Sequence, residues 1–274
     1  MNTLAAAAPL TTEAILTEER RGAVAILTLN RPKARNSLSL DMIAAVHDAI
    51  SELGKASDVS AIVLTGAAPA FCAGHDLKEM TAARQDADRG RAFFDRTMHA
   101  CSAMMQAVVR CPKPVIAAVN GIATAAGCQL VASCDLAVAG ASAKFATPGV
   151  NIGLFCSTPM VALSRNVSRK DAMEMLLLGG MIEAARAREI GLINRVVPDY
   201  AVLPEALAVA QTIASKSPLT VAIGKEAFYR QLEMPLSEAY GYTARIMVEN
   251  MLVRDAEEGI GAFLEKRDPV WTGS

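Results

Sequence analysis

Pro114 to Asp135, P-V-I-A-A-V-N-G-I-A-T-A-A-G-C-Q-L-V-A-S-C-D, is the stretch whose reading decides the fold. It carries no charge before its closing Asp135, and its length alone would allow a membrane span. Its internal pattern predicts something else. Val115 to Val119 is an apolar, β-branched run behind a proline, the signature of a buried strand. Asn120-Gly121 is a turn dipeptide. Ala125-Ala126-Gly127 then opens an apolar helix over roughly Cys128 to Ser133, whose first amides have no partner within the helix. A strand, a small-residue turn and a helix N-terminus let backbone N–H groups approach a ligand oxygen closely. The same pattern also suits a plain buried crossover with small residues for packing, and pattern alone leaves both readings open.

Around this stretch the chain has 274 residues, enough to bury a core in one large domain or a domain with an appendage. Apolar residues make up 52% and charged residues 20%, which places the chain with globular and not disordered proteins. The net charge is −1 with no long basic block, so nucleic acid and membrane surfaces are not expected as partners. The six cysteines, Cys72, Cys101, Cys111, Cys128, Cys134 and Cys156, stand in apolar context without a C-x-x-C pair. They read as reduced, buried thiols of a cytoplasmic protein with no metal site. The first dozen residues lack a positive n-region and read as a flexible lead-in, not a signal peptide. A second uncharged stretch, Phe145 to Ser164, is broken by Pro148, Gly149, Gly153 and Pro159 and cannot be a clean membrane helix. Two such stretches suggest the dry interior of one site.

In chain order, Ala23 to Leu29 and Ala61 to Thr65 are expected strands. Between them, Ser39 to Leu53 has apolar residues at Met42, Ile43, Val46, Ile50 and Leu53, a helical period. Strands are also expected at Leu136 to Ala139 and Ile193 to Val197. Helices are expected at Ser168 to Leu178, stopped by Gly179-Gly180, and at Ala184 to Glu189. From Pro204 the pattern is helical throughout. The division is therefore a lead-in over 1–17, an α/β core over 18–203 and a helical region over 204–274. Two glycine-containing loops follow strands, A-F-C-A-G-H-D-L-K-E and N-G-I-A-T-A-A-G-C-Q. Amides from two separate loops are what an oxyanion hole requires.

Further motifs make a family resemblance specific. L-N-R-P-K-A-R-N-S-L, F-C-A-G-H-D-L-K-E, N-G-I-A-T-A-A-G-C-Q-L-V-A-S-C-D, A-R-A-R-E-I-G-L-I-N-R-V-V and E-G-I-G-A-F-L-E-K-R occur in this order. Together, from about Glu18 to Trp271, they resemble the crotonase (enoyl-CoA hydratase/isomerase) superfamily. The resemblance implies an α/β spiral of ββα units, a helical C-terminal region that forms a homotrimer or hexamer, a coenzyme A thioester as ligand and no permanently bound cofactor. It implies oxyanion amides on His75 and Ala126. Ala73, His75, Asp76, Leu77 and Lys78 would line the thioester and pantetheine, and Lys33, Ala34 and Arg35 would lie near the nucleotide. Phe263 would sit at a CoA-binding edge.

The departures bear on the reaction. Family hydratases carry two glutamates that hold water and move protons. At those positions this chain has Gln129 and Gly149, and no Asp or Glu occurs between Asp135 and Asp171. Cys156 and Ser157, where related isomerases place a carboxylate, are pocket candidates. An acyl-CoA lyase or isomerase with weak or absent hydratase activity is therefore expected. The alternative is a non-catalytic acyl-CoA sensor or sequestering subunit. A serine hydrolase is disfavoured, since His47, His75 and His99 lie in no nucleophile motif.

Overall fold

The computed structural model describes residues 14–274; of the lead-in expected over 1–17, residues 1–13 lie outside the described residues. Strand β1 (Leu16–Arg21) turns at Gly22, φ +60°, and pairs antiparallel with β2 (Val24–Leu29). It begins two residues inside the expected lead-in. Five of its six residues are exposed, so L-T-E-E-R-R gives no alternating apolar signal. Helix α1 (Leu40–Lys55) starts where expected: the Ser39 hydroxyl accepts from the Met42 amide, and the five apolar residues of the period are buried.

The chain then winds as a spiral in which each turn gives one strand to each of two sheets. β3 (Ala61–Gly66) is followed by β4 (Ala70–Cys72), α2 (Leu77–Ala83) and α3 (Arg91–Arg110). β5 (Val115–Val119) is followed by β6 (Ile122–Thr124) and α4 (Ala126–Ser133). β7 (Leu136–Gly140) is followed by β8 (Lys144–Ala146), α5 (Pro159–Asn166) and α6 (Arg169–Leu178). β9 (Ile182–Glu183), α7 (Ala184–Glu189) and β10 (Arg195–Val197) complete it. The larger sheet has the order β1-β2-β3-β5-β7-β10, parallel from β2 onward. The smaller has the order β4-β6-β8-β9, parallel except at β9. Strands of two or three residues leave no period to read, which is why the second sheet is silent in the sequence.

α8 (Val202–Ala214) closes the outer face of the larger sheet with Val202, Ala206, Leu207 and Ala210. The helical region thus starts two residues before Pro204, and its first helix is committed to the core. α9 (Pro218–Gln231) is fastened to the spiral by Lys225, whose ammonium donates to the Val108 and Lys113 carbonyls and to Asp135 at 2.6 Å. Burial pushes the Asp135 carboxyl up, while Lys225, the Val115 amide and the Tyr229 hydroxyl pull it back. α10 (Leu236–Met251) and α11 (Arg254–Glu265) follow. Phe228, Leu232, Met247, Met251 and Phe263 are exposed on the single chain. Among the described residues no single helix is long and apolar enough to cross a membrane.

The C-terminal segment folds back onto buried Asp255. Its carboxylate accepts from the Ser217 hydroxyl at 2.6 Å, the Thr272 amide at 2.7 Å, the Thr272 hydroxyl and the Gly273 amide. Burial alone would raise this carboxyl, but the donors outweigh it and hold it below its ordinary value. Its contribution is therefore present above the unfolded pKa and is lost as pH falls through the lower, folded one. Trp271, the only tryptophan, donates to the Ser215 carbonyl and reports on this segment. Asp255→Ala is expected to red-shift tryptophan emission at neutral pH and to cost about 2 kcal/mol, the scale of a charged acceptor removed from buried donors. Wild type should show the same red shift only in acid.

Candidate active site

The two glycine-containing loops meet. Gly74 has φ +88°, and a Cβ there would lie 2.9 Å from both the Ala125 Cβ and the Thr124 carbonyl oxygen. The Gly74 carbonyl accepts from the Leu38 amide at 2.8 Å, and the Asp76 amide donates to the Leu38 carbonyl at 3.0 Å. Successive peptide groups of an extended segment point to opposite sides, so His75 turns its own N–H away from Leu38. Across from it, Ala125 is held at φ 50°, ψ −118°, a conformation costing an alanine roughly 1–3 kcal/mol. Its amide is tied to the Ala146 carbonyl at 2.9 Å and its carbonyl accepts from the Gln129 amide at 3.0 Å. The strained residue aims the first amide of α4, that of Ala126. Among the described residues neither the His75 nor the Ala126 amide has a backbone acceptor.

A polar frame fixes the His75 loop. The Asp76 carboxylate caps α2 through the Lys78 amide, pairs with the Arg31 guanidinium at 2.9 Å and accepts from the Ser37 hydroxyl. Burial would raise the Asp76 carboxyl; Arg31 and the other donors reverse this and hold it below the ordinary range. Buried Asn36 accepts from the Arg31 amide and donates to the Ala67 and Ala70 carbonyls, and the Ala73 amide donates to the Arg35 carbonyl. Residues 31–38 and 73–78 therefore form one unit, with Lys33, Arg35, Leu77 and Lys78 exposed along it and Ala34 half-buried. Arg31 and Asn36 are the members sequence reasoning missed, although both lie inside the R-P-K-A-R-N-S motif. Glu79 is engaged elsewhere, accepting from the Leu40 amide at the start of α1.

The positions expected to depart from the hydratase pattern have definite surroundings. Gln129 is buried, and its side-chain oxygen has no hydrogen-bond partner among the described residues. A Cβ on Gly149 would lie 2.8 Å from the Leu154 carbonyl oxygen and 2.9 Å from the Cys156 sulfur. That sulfur accepts from the Gly149 amide at 3.4 Å. The space beside Gly149 is thus filled from its own loop. Burial raises the Cys156 thiol against the pull of the Gly149 amide, so the sulfur is a protonated filler at neutral pH. Ser157 is exposed. His75 is half-buried with its Nε2 unpaired, and burial lowers its pKa to about 4, leaving a neutral ring at pH 7. Phe263 is 81% exposed on α11, which packs on α9 and α10, so one chain alone does not bring it to these loops.

The enoyl-CoA hydratase/isomerase model matches residues 19–274. The chain belongs to that family. Within it, a rat relative named enoyl-CoA hydratase domain-containing protein 3, mitochondrial, is 47% identical over 246 residues, 90% of this chain and 80% of its own. The crystal structure of the human protein of that name superposes with a TM-score of 0.89 at 44% identity, covering 94% of this chain and 100% of that one. A crystal structure of an enoyl-CoA hydratase from Mycobacterium smegmatis gives 0.90 at 49% identity, covering 94% and 99%. Family members act on CoA thioesters without a permanent cofactor. The comparisons also correct the expected cytoplasmic location. The rat, human and mouse relatives are named mitochondrial, which goes against that expectation. Reduced thiols separate reducing from oxidising compartments and say nothing about which reducing compartment is meant.

Proposed function

We propose that this enoyl-CoA hydratase/isomerase family chain binds an acyl-CoA thioester and polarises its carbonyl between the backbone amides of His75 and Ala126. The carrying observation is the pair of unpaired N–H groups on two loops locked together at Gly74 and Ala125. Fixed donors of this kind stabilise a developing enolate or tetrahedral oxyanion without reorganising. Exposed Lys33, Arg35 and Lys78 flank the frame and supply positive charge for the phosphates, and Leu77 supplies apolar contact for the pantetheine. The apolar residues left exposed on α9 to α11, Phe263 among them, support assembly as a trimer or a dimer of trimers.

The reaction class is one that enolate stabilisation permits without the glutamate pair, in the lyase or isomerase sense. Cys156 filling the second glutamate position also favours a second reading, a non-catalytic acyl-CoA sensor. Turnover of a panel of acyl-CoA thioesters at high protein concentration separates the two.

Ala126→Pro tests the shared part. Proline is tolerated at the first position of a helix, where its missing N–H has no partner within the helix. Thioester polarisation is expected to weaken by about 3 kcal/mol, roughly 10²–10³-fold in any turnover. The infrared band of the bound thioester carbonyl should move back toward its value in water. An unchanged band, or calorimetry with no affinity for any acyl-CoA, would remove the reading.

A further inference from the structure

A cavity of about 370 Å³ opens in the elbow between α8 and α9, where the helical chain turns through 105°. Its floor is formed where β5 and β7 begin, at Pro114, Asp135 and Leu136. This place is separate from the candidate active site. The helix α4 starts at Ala126, which carries one of the two candidate oxyanion amides, and ends at Ser133, two residues before Asp135. The eight residues of α4 therefore hold the two places apart, by about 12 Å along the helix axis. The cavity has the size of a small-molecule site, which runs from about 300 to 1,000 Å³.

The lining restricts what fits. Leu136, Ile213, Val221 and Phe228 present hydrocarbon, as does Pro114. The polar groups at the floor are already engaged. The Lys225 ammonium donates to the Val108 and Lys113 carbonyls and to Asp135. The Asp135 carboxylate also accepts from the Val115 amide and the Tyr229 hydroxyl, and the Thr212 hydroxyl donates to the Ala208 carbonyl. Buried charges satisfied in this way offer an incoming molecule nothing further. Lys216 is the exception. It lines the cavity, is exposed, and has no side-chain hydrogen bond or ion pair among the described residues. Apolar walls with one unmatched cation at the rim complement a hydrocarbon body with one negative charge. An alcohol leaves Lys216 unmatched, and an alkylammonium sets like charges together. The centres of protein interfaces are depleted in lysine, which favours a small molecule over a second chain.

We propose that this elbow is a second binding site, taking a medium-length alkyl carboxylate with its chain in the cavity and its head on Lys216. At roughly 30 Å³ for each methylene, about the share of a water molecule in the liquid, the space suits a chain of about ten carbons. Titration calorimetry on the full chain tests this with decanoate, octanoate, hexanoate, decanol and decyltrimethylammonium, each below its micelle concentration. One decanoate is expected to bind per chain, with affinity falling about tenfold for each two methylenes removed. Decanol should bind about fivefold more weakly than decanoate, and the cation more weakly still. Lys216→Gln, a change on the exposed rim, should reduce the decanoate affinity to that of decanol, and Lys216→Arg should preserve it. Ile213→Trp, which fills the cavity, should abolish binding; should it not fold, Val221→Phe replaces it. Saturation with butyryl-CoA should leave the decanoate affinity unchanged. Absence of decanoate binding overturns the proposal, including where sedimentation shows a second copy covering the elbow. Displacement by butyryl-CoA overturns it too, as does an affinity that ignores both Lys216→Gln and the filling substitution.

Discussion

Hydration of crotonyl-CoA by the wild-type chain is expected to run several orders of magnitude below that of a relative bearing both glutamates. Hydration needs one group to activate water and one to protonate the α-carbon. Each positioned acid or base contributes roughly 10²–10⁴-fold, or about 3–5 kcal/mol of barrier. Gln129 orients water but exchanges no proton near neutral pH. Gly149 contributes no side chain, and the space beside it holds the Leu154 carbonyl and the Cys156 sulfur. Gln129→Glu alone should recover little. Gly149 is not at positive φ among the described residues, so backbone conformation does not bar a glutamate there. The neighbours do. A Cβ 2.8 Å from a backbone oxygen cannot be relieved by a rotamer change. Even Gln129→Glu with Gly149→Glu is therefore expected to stay far from a true hydratase, and adding Cys156→Ala leaves the Leu154 carbonyl in place. The assay is loss of absorbance by the conjugated enoyl thioester. Wild-type turnover within tenfold of a glutamate-bearing relative would show that another group moves the protons.

Gly127→Ala should be the most damaging small substitution in the chain. A Cβ at Gly127 would lie 2.1 Å from the Cys72 carbonyl oxygen and 2.8 Å from its carbon. Carbon and oxygen not covalently joined normally keep about 3.3 Å or more apart, so β4 and α4 must separate by about an ångström. Both sides are backbone, and neither can yield by a rotamer change. Overpacking of this kind costs about 3 kcal/mol or more. The displaced strand runs directly into Ala73, Gly74 and His75, and the displaced helix begins at Ala126, so the two amides part as stability falls. Urea denaturation followed by circular dichroism checks it. Gly224→Ala is the control, since a Cβ there meets nothing within 4 Å. In mid-helix it should be neutral or stabilise by up to about 1 kcal/mol. A loss at Gly127 below about 1 kcal/mol would mean that the close approach of β4 and α4 is not what holds the loops together.

Much of this molecule is legible without coordinates, because much of it is local. The period from Met42 to Leu53 and the cap at Ser39 set α1, and Ser168 with Gly179 brackets α6. Val115 to Val119 is a strand and Ala126-Gly127 starts a helix because nearest neighbours along the chain impose these states. Motifs of this kind also carried the resemblance that the family match bears out. Gln129 and Gly149 read as departures only against the motif pattern of the family the chain resembles.

What the sequence by itself could not determine is whatever depends on two distant segments touching. The second sheet, built from strands as short as β9, exists only because the spiral stacks them. Arg31 meets Asp76 across 45 positions. The open place beside Gly149 that residue identity suggests is closed by Leu154 and Cys156. Periodicity and capping are short-range and fix elements; steric closure and unpaired buried groups are long-range and arise only once the elements have packed.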